Sequence, residues 1–65
     1  MTSYDAGHRA GSEVARTELA KYVRIAAGYA RARLDFLADQ SSTDDYNRGW
    51  LDGYRSTLRV VANIG

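Results

Sequence analysis

The sequence has no cysteine and no proline, and it has one histidine among its 65 residues. Without cysteine there is no disulfide framework, and a single histidine does not make a structural zinc site. Small folds lean on such staples because a chain of this length buries only about 60% of the surface its unfolded form exposes. Oligomerisation is the stabilising device left over. The missing cysteines also fit a reducing compartment, so a cytoplasmic location is the default expectation.

Long apolar runs are missing too. The longest weakly polar run, Ile25 to Ala30, is far short of the roughly 20 residues of a membrane span, so no membrane partner is expected. The first sixteen residues carry Asp5, Arg9, Glu13 and Arg16, which does not read as a secretory leader. Strong charge of either sign is absent as well: nine basic and eight acidic residues leave a formal charge of +1. No net field steers the chain toward nucleic acid, and any such role must rest on a local patch. Eight of the nine cations are arginine, as in proteins of GC-rich genomes.

What is present is helical. Alanine, leucine, arginine and glutamate dominate residues 13–38. Thr2 and Asp5 have capping-box spacing, so a first helix can begin at once. At 100° per residue, Tyr4, Gly7, Gly11, Val14, Ala15, Leu19, Tyr22, Ile25, Ala26, Tyr29, Ala30, Phe36 and Leu37 fall in one arc. Arg9, Glu13, Arg16, Arg24, Arg31, Asp35 and Asp39 fall opposite it. Glu18 and Arg33 point into the apolar side, either as an ion pair across an interface or as rim residues reaching water.

The run from Asp39 to Asp45 has no apolar residue, and Ser41 with Asp44 or Ser42 with Asp45 supplies the next cap. A second helix follows, with Tyr46, Trp50, Gly53, Tyr54, Thr57 and Val61 on its apolar face and Leu58 as a further candidate for it. The expected architecture is a single all-α domain over residues 1–65, a helical hairpin with a long helix at about 3–38, a loop at about 39–43 and a shorter helix at about 44–63. A break at Gly11-Ser12 is the alternative and would give three helices. At 1.5 Å per residue the arms are about 50 Å and about 30 Å long. Folded back antiparallel, the second helix covers the first only as far as Leu19. Residues Tyr4 to Val14 then need a second copy, and a homodimeric four-helix-type bundle is expected.

Superposing the chain on itself places Tyr4-Asp5-Ala6-Gly7-His8-Arg9-Ala10-Gly11 on Tyr46-Asn47-Arg48-Gly49-Trp50-Leu51-Asp52-Gly53. Each segment is a tyrosine followed by GxxxG. A glycine inside a helix costs about 0.8–1 kcal/mol relative to alanine, so these four must recover about 3–4 kcal/mol through close packing. The expected packing or oligomer interface is Tyr4, Gly7, Gly11, Val14, Leu19, Tyr22, Gly49, Trp50, Gly53 and Tyr54, with Gly7 and Gly11 needing another chain. Five tyrosines and one tryptophan are residue types that anchor protein interfaces.

Other constellations are thinner. Lys21, Arg24 and Arg31 form a candidate basic patch. His8 with Asp5 and Ser12 lacks the further ligands of a metal site and the base and orienter of a hydrolase, so neither cofactor nor metal nor catalysis is expected. The run Tyr46 to Arg55, with its echo at Tyr4 to Gly11, resembles short helical proteins of bacteriophages that infect GC-rich actinobacteria. That resemblance implies an accessory protein acting on a host or phage protein. The functional expectation is a non-catalytic protein-interaction module; the alternative is a small nucleic-acid-binding regulator.

Overall fold

The first helix starts where the capping box places it. In the computed structural model, which describes residues 2–64, the Asp5 amide donates to Thr2 Oγ1 at 3.1 Å and the Thr2 amide donates to the Asp5 carboxylate at 3.4 Å. Helix α1 then runs Ser3–Lys21, straight through Gly11-Ser12. The expected alternative break at that point is not where the chain turns. It turns at Tyr22–Ile25, where Tyr22 (φ −121°, ψ 41°) and Ile25 (φ −124°, ψ 20°) leave helical geometry around a short 3-10 turn, Val23–Ile25. Three poor helix formers cluster there, an aromatic and two β-branched residues, and the Tyr22 ring stacks on Tyr29 with centroids 4.5 Å apart. The single long helix over 3–38 is thereby corrected to two.

Helix α2 (Ala26–Phe36) runs back and ends in turns through Leu37 to Asp39. The link to α3 (Asp45–Ile64) is closed by Asp44, whose carboxylate accepts from the Asn47 amide at 3.0 Å. Asp44 is therefore the cap of α3, while Ser42, one of the two serines expected in that role, instead accepts from the Asp44 amide at 3.2 Å. Arg55 donates to the carbonyls of Leu37 and Gln40 and pins the link to α3.

Every element among the described residues is helical, and the packing order differs from an antiparallel hairpin of two unequal arms. Helix α1 meets α3 along the largest interface, and the two run parallel: Tyr4 lies by Gly49 and His8 by Gly53. Helix α2 lies antiparallel on α3, with Arg31 at Ala62, Arg33 at Tyr54 and Leu37 at Arg55. Because the chain turns at Tyr22, α1 and α3 are about 28 Å and about 30 Å long, and no arm projects uncovered.

The core follows from this order. Ala15, Leu19, Ala30, Leu37, Tyr54, Leu58 and Ala62 are buried, with Ala26, Tyr29, Leu34, Trp50 and Val61 packed around them. Small residues occupy the stripe of α1 at every fourth position, Gly7, Gly11 and Ala15, before Leu19. Burial of Leu58, with no exposed surface, contributes about 1.5–3 kcal/mol.

Candidate functional site

The glycines that the sequence marks as costly lie face to face. A Cβ built on Gly7 would collide with the Tyr46 carbonyl oxygen and sit 2.8 Å from its carbon; one on Gly11 would do the same against the Trp50 carbonyl, again 2.8 Å from the carbon. From the other helix, Gly49 rests on the Tyr4 carbonyl and Gly53 on the His8 carbonyl, with carbon distances of 2.9 and 2.8 Å. The partner expected for Gly7 and Gly11 in a second copy is supplied by α3 of the same chain. The contacts exchange under a pseudo-two-fold axis that carries Tyr4 onto Tyr46, Gly7 onto Gly49, His8 onto Trp50 and Gly11 onto Gly53. The two similar segments thus pack on each other as a parallel pair.

Each glycine presents to a carbonyl oxygen the Cα–H that a methyl would replace. Such Cα–H···O contacts are worth about 0.5–1 kcal/mol each, so four of them offset most of the helical glycine cost. The seam is completed by polar contacts that break its symmetry. The Tyr4 hydroxyl donates to the Asp52 carboxylate, which pushes the Tyr4 phenol pKa up, and Ser12 Oγ donates to the Gly53 carbonyl at 3.2 Å. Asp52 corresponds to Ala10 in the first segment, so Tyr46 finds no equivalent carboxylate.

A second group lies beside the seam. Glu18 accepts from the Tyr54 hydroxyl at 2.8 Å and from the Tyr29 hydroxyl, while Arg33 Nε donates to Tyr54 Oη at 3.2 Å. Glu18 and Arg33, the two charges that point into the apolar side, meet through Tyr54 within one chain. Tyr54 is 1% exposed and stacks on Trp50 with centroids 5.0 Å apart. The hydrogen bond to Glu18 pushes the Tyr29 phenol up, and burial is the main cause that raises Tyr54. The group is a closed chain of donors and acceptors, with its hydroxyls committed to one carboxylate.

The expected interface residues divide accordingly. Tyr4, Gly7, Gly11, Gly49, Trp50 and Gly53 form the seam, Leu19 and Tyr54 lie in the core, and Val14 and Tyr22 are exposed by 38% and 41%. The basic patch is divided as well. Lys21 and Arg24 are exposed at the α1–α2 turn, whereas Arg31 Nη2 donates to the Ala62 carbonyl at 3.0 Å, closing the last turn of α3. His8 sits in the seam with its ring 6.2 Å from that of Tyr4, and among the described residues no three His, Cys, Asp or Glu side chains gather as a metal-holding group. No described helix is long and apolar enough to cross a membrane.

Sequence reasoning missed Ser12 and Asp52 in the seam and the clamp made by Arg55. Ser12 and Asp52 had a legible signal, since each lies one residue from a seam glycine. No protein-family model, curated protein or solved structure matches the chain.

Proposed function

We propose that the chain is a non-catalytic module that binds a protein partner. The observation that carries this reading is the contrast between a closed interior seam and an apolar exterior. All four seam glycines are covered within the chain, while Val23, Ile25, Phe36, Val60 and Ile64 are each more than 60% exposed. Four of these, Val23, Ile25, Val60 and Ile64, belong to the last turns of α3 and the turn that starts α2, at one end of the bundle, and such a grouping supports a surface that meets another molecule; Phe36 lies at the other end of α2. The Glu18 carboxylate, which could otherwise serve as an acid or base, supports the same reading, since it is taken up by two tyrosines.

The resemblance to phage accessory proteins extends the reading to a host or phage protein as the partner, met in the cytoplasm of a bacterial cell. Self-association carries less weight than the sequence suggests, because the length mismatch and the uncovered N-terminal glycines that called for it are both absent. Cross-linking in the native cell followed by capture of the full chain tests the proposal. A specific stoichiometric partner is expected, and capture of none overturns it. A solution mass of twice 7.2 kDa would make the partner a second copy. A nucleic-acid regulator is the second reading, favoured by the exposed Lys21 and Arg24, and salt-dependent binding to duplex DNA would support it.

A further inference from the structure

One end of the bundle differs from the rest of the surface. Because α1 and α3 are parallel, their last turns lie together, beside the Tyr22–Ile25 turn that starts α2. This end collects Val23, Ile25 and Ile64, exposed by 77%, 62% and 79%, with Val60 one turn below. Among the described residues its charges are of one sign: Lys21 and Arg24 flank Val23 and Arg59 adjoins Val60, all three exposed, and Arg31 lies on the Ala62 carbonyl. The acids lie elsewhere. Asp5, Asp44, Asp45 and Asp52 are in or before the first halves of α1 and α3, and Asp35 and Asp39 are at the far end of α2. Glu13 is at the middle of α1, and Glu18, in its last two turns, is bound by tyrosine hydroxyls.

We propose that this end is the docking surface for an acidic, amphipathic protein segment, a partner whose carboxylates meet Lys21, Arg24 and Arg59 while its apolar side covers Val23, Ile25 and Ile64. The inference rests on the reading of the chain as an interaction module and names the chemistry of its partner. Charge decides among the occupants. A second copy docked end to end would bring the same cations against themselves with no acid among the described residues of this end to pair them, and like charges brought together suppress association. An anionic bilayer fits less well, since lipid-binding basic segments carry about four to eight clustered cations, whereas this end has three that face outward and a fourth, Arg31, that is turned onto the Ala62 carbonyl. Single-stranded nucleic acid would leave the exposed valine and isoleucines unused, because its bases seek aromatic platforms and Tyr22 is already stacked on Tyr29.

The test is an amide chemical-shift titration of the isotope-labelled full chain with a synthetic helical peptide of leucine, alanine and glutamate. A matched peptide with lysine for glutamate and vesicles containing phosphatidylserine are run in parallel. The glutamate peptide is expected to shift residues 21–25 and 59–64 and to weaken with salt. Val23→Asp and Ile64→Asp, both at exposed positions that leave the fold intact, are expected to weaken it at least tenfold. Equal binding of the lysine peptide, shifts confined to other residues, no binding of the glutamate peptide, or binding to the vesicles alone would each overturn the proposal. Applying the same two variants to the cellular capture separates the two levels. A partner still captured by both variants refutes this docking surface and leaves the module standing, whereas no specific partner for the unaltered chain removes the module itself.

Discussion

Gly11 lies on the backbone of Trp50 so closely that a methyl group added to it would sit 2.8 Å from the Trp50 carbonyl carbon and 3.1 Å from its Cα. The neighbour is backbone, which cannot swing aside as a long side chain would. Overpacking of this kind costs about 1–3 kcal/mol and occasionally more, and the helix-propensity gain of glycine to alanine returns about 1 kcal/mol. Gly11→Ala and Gly53→Ala, whose added methyl would meet backbone, are therefore each expected to destabilise the chain by up to about 2 kcal/mol in urea unfolding followed by circular dichroism. A domain of this size has about 3–10 kcal/mol in total, so Gly11→Leu is expected to abolish folding. Unchanged midpoints for both alanine variants would show that the helices can separate without loss.

Gly28 provides the control. It is helical, exposed, and a Cβ built on it meets nothing within 4 Å. Here alanine gains helix propensity and meets no obstacle, so Gly28→Ala is expected to stabilise by about 0.5–1 kcal/mol. The opposite signs at Gly11 and Gly28 test whether close approach, rather than glycine itself, matters at the seam; thermal melts of the two variants side by side read it directly.

The N-terminus of α3 gives a third test. Asp44 accepts from the Asn47 amide and also places a negative charge at the positive end of the helix. Asp44→Ala is expected to cost about 1 kcal/mol, the usual loss of a cap. Ser42→Ala removes only a contact to the Asp44 amide and is expected to cost less. Equal losses would assign the cap to both residues.

These positions also show what the sequence can and cannot convey. The Thr2 and Asp5 pair announces a helix start because both partners lie within one turn of chain. The two GxxxG segments announce close packing because their cost is local and has to be offset somewhere. Neither states which helix will supply the contact or in which direction it will run. That depended on the turn at Tyr22–Ile25, which lacks glycine and proline and is marked only by a cluster of poor helix formers. Placing the turn there equalises α1 and α3, and the apparent demand for a second copy disappears. Glu18 and Arg33 were visible as charges out of place, but their meeting through Tyr54 depends on α2 folding back on α3. The Asp39–Asp45 stretch reads as a loop from composition, whereas its anchor, Arg55, lies ten residues beyond it and resembles any other exposed arginine.

Tyr54 and Glu18 carry a prediction about both stability and pH. The Tyr54 hydroxyl is almost wholly buried, and Glu18 is its acceptor. Glu18→Ala would leave that O–H without an acceptor, at an expected cost of about 1–3 kcal/mol, whereas Glu18→Gln retains a carbonyl acceptor and should lose less. Tyr29 and Tyr54 both have pKa values raised above the ordinary 10.0, the first mainly by its bond to Glu18 and the second mainly by burial. The folded chain therefore holds phenolic protons that the unfolded chain has already released. Their stabilising contribution is complete below pH 10 and is lost as the pH climbs through the folded-state values. Thermal melts across the alkaline range should show a steeper fall for the native chain than for Tyr29→Phe/Tyr54→Phe, which has no phenols at these positions to ionise. Ultraviolet titration should find three tyrosines ionising late, Tyr4 held up by Asp52 and Tyr29 and Tyr54 released only as the helical signal collapses. If all five ionise together near pH 10 with the helices intact, the hydroxyls are not held by Glu18.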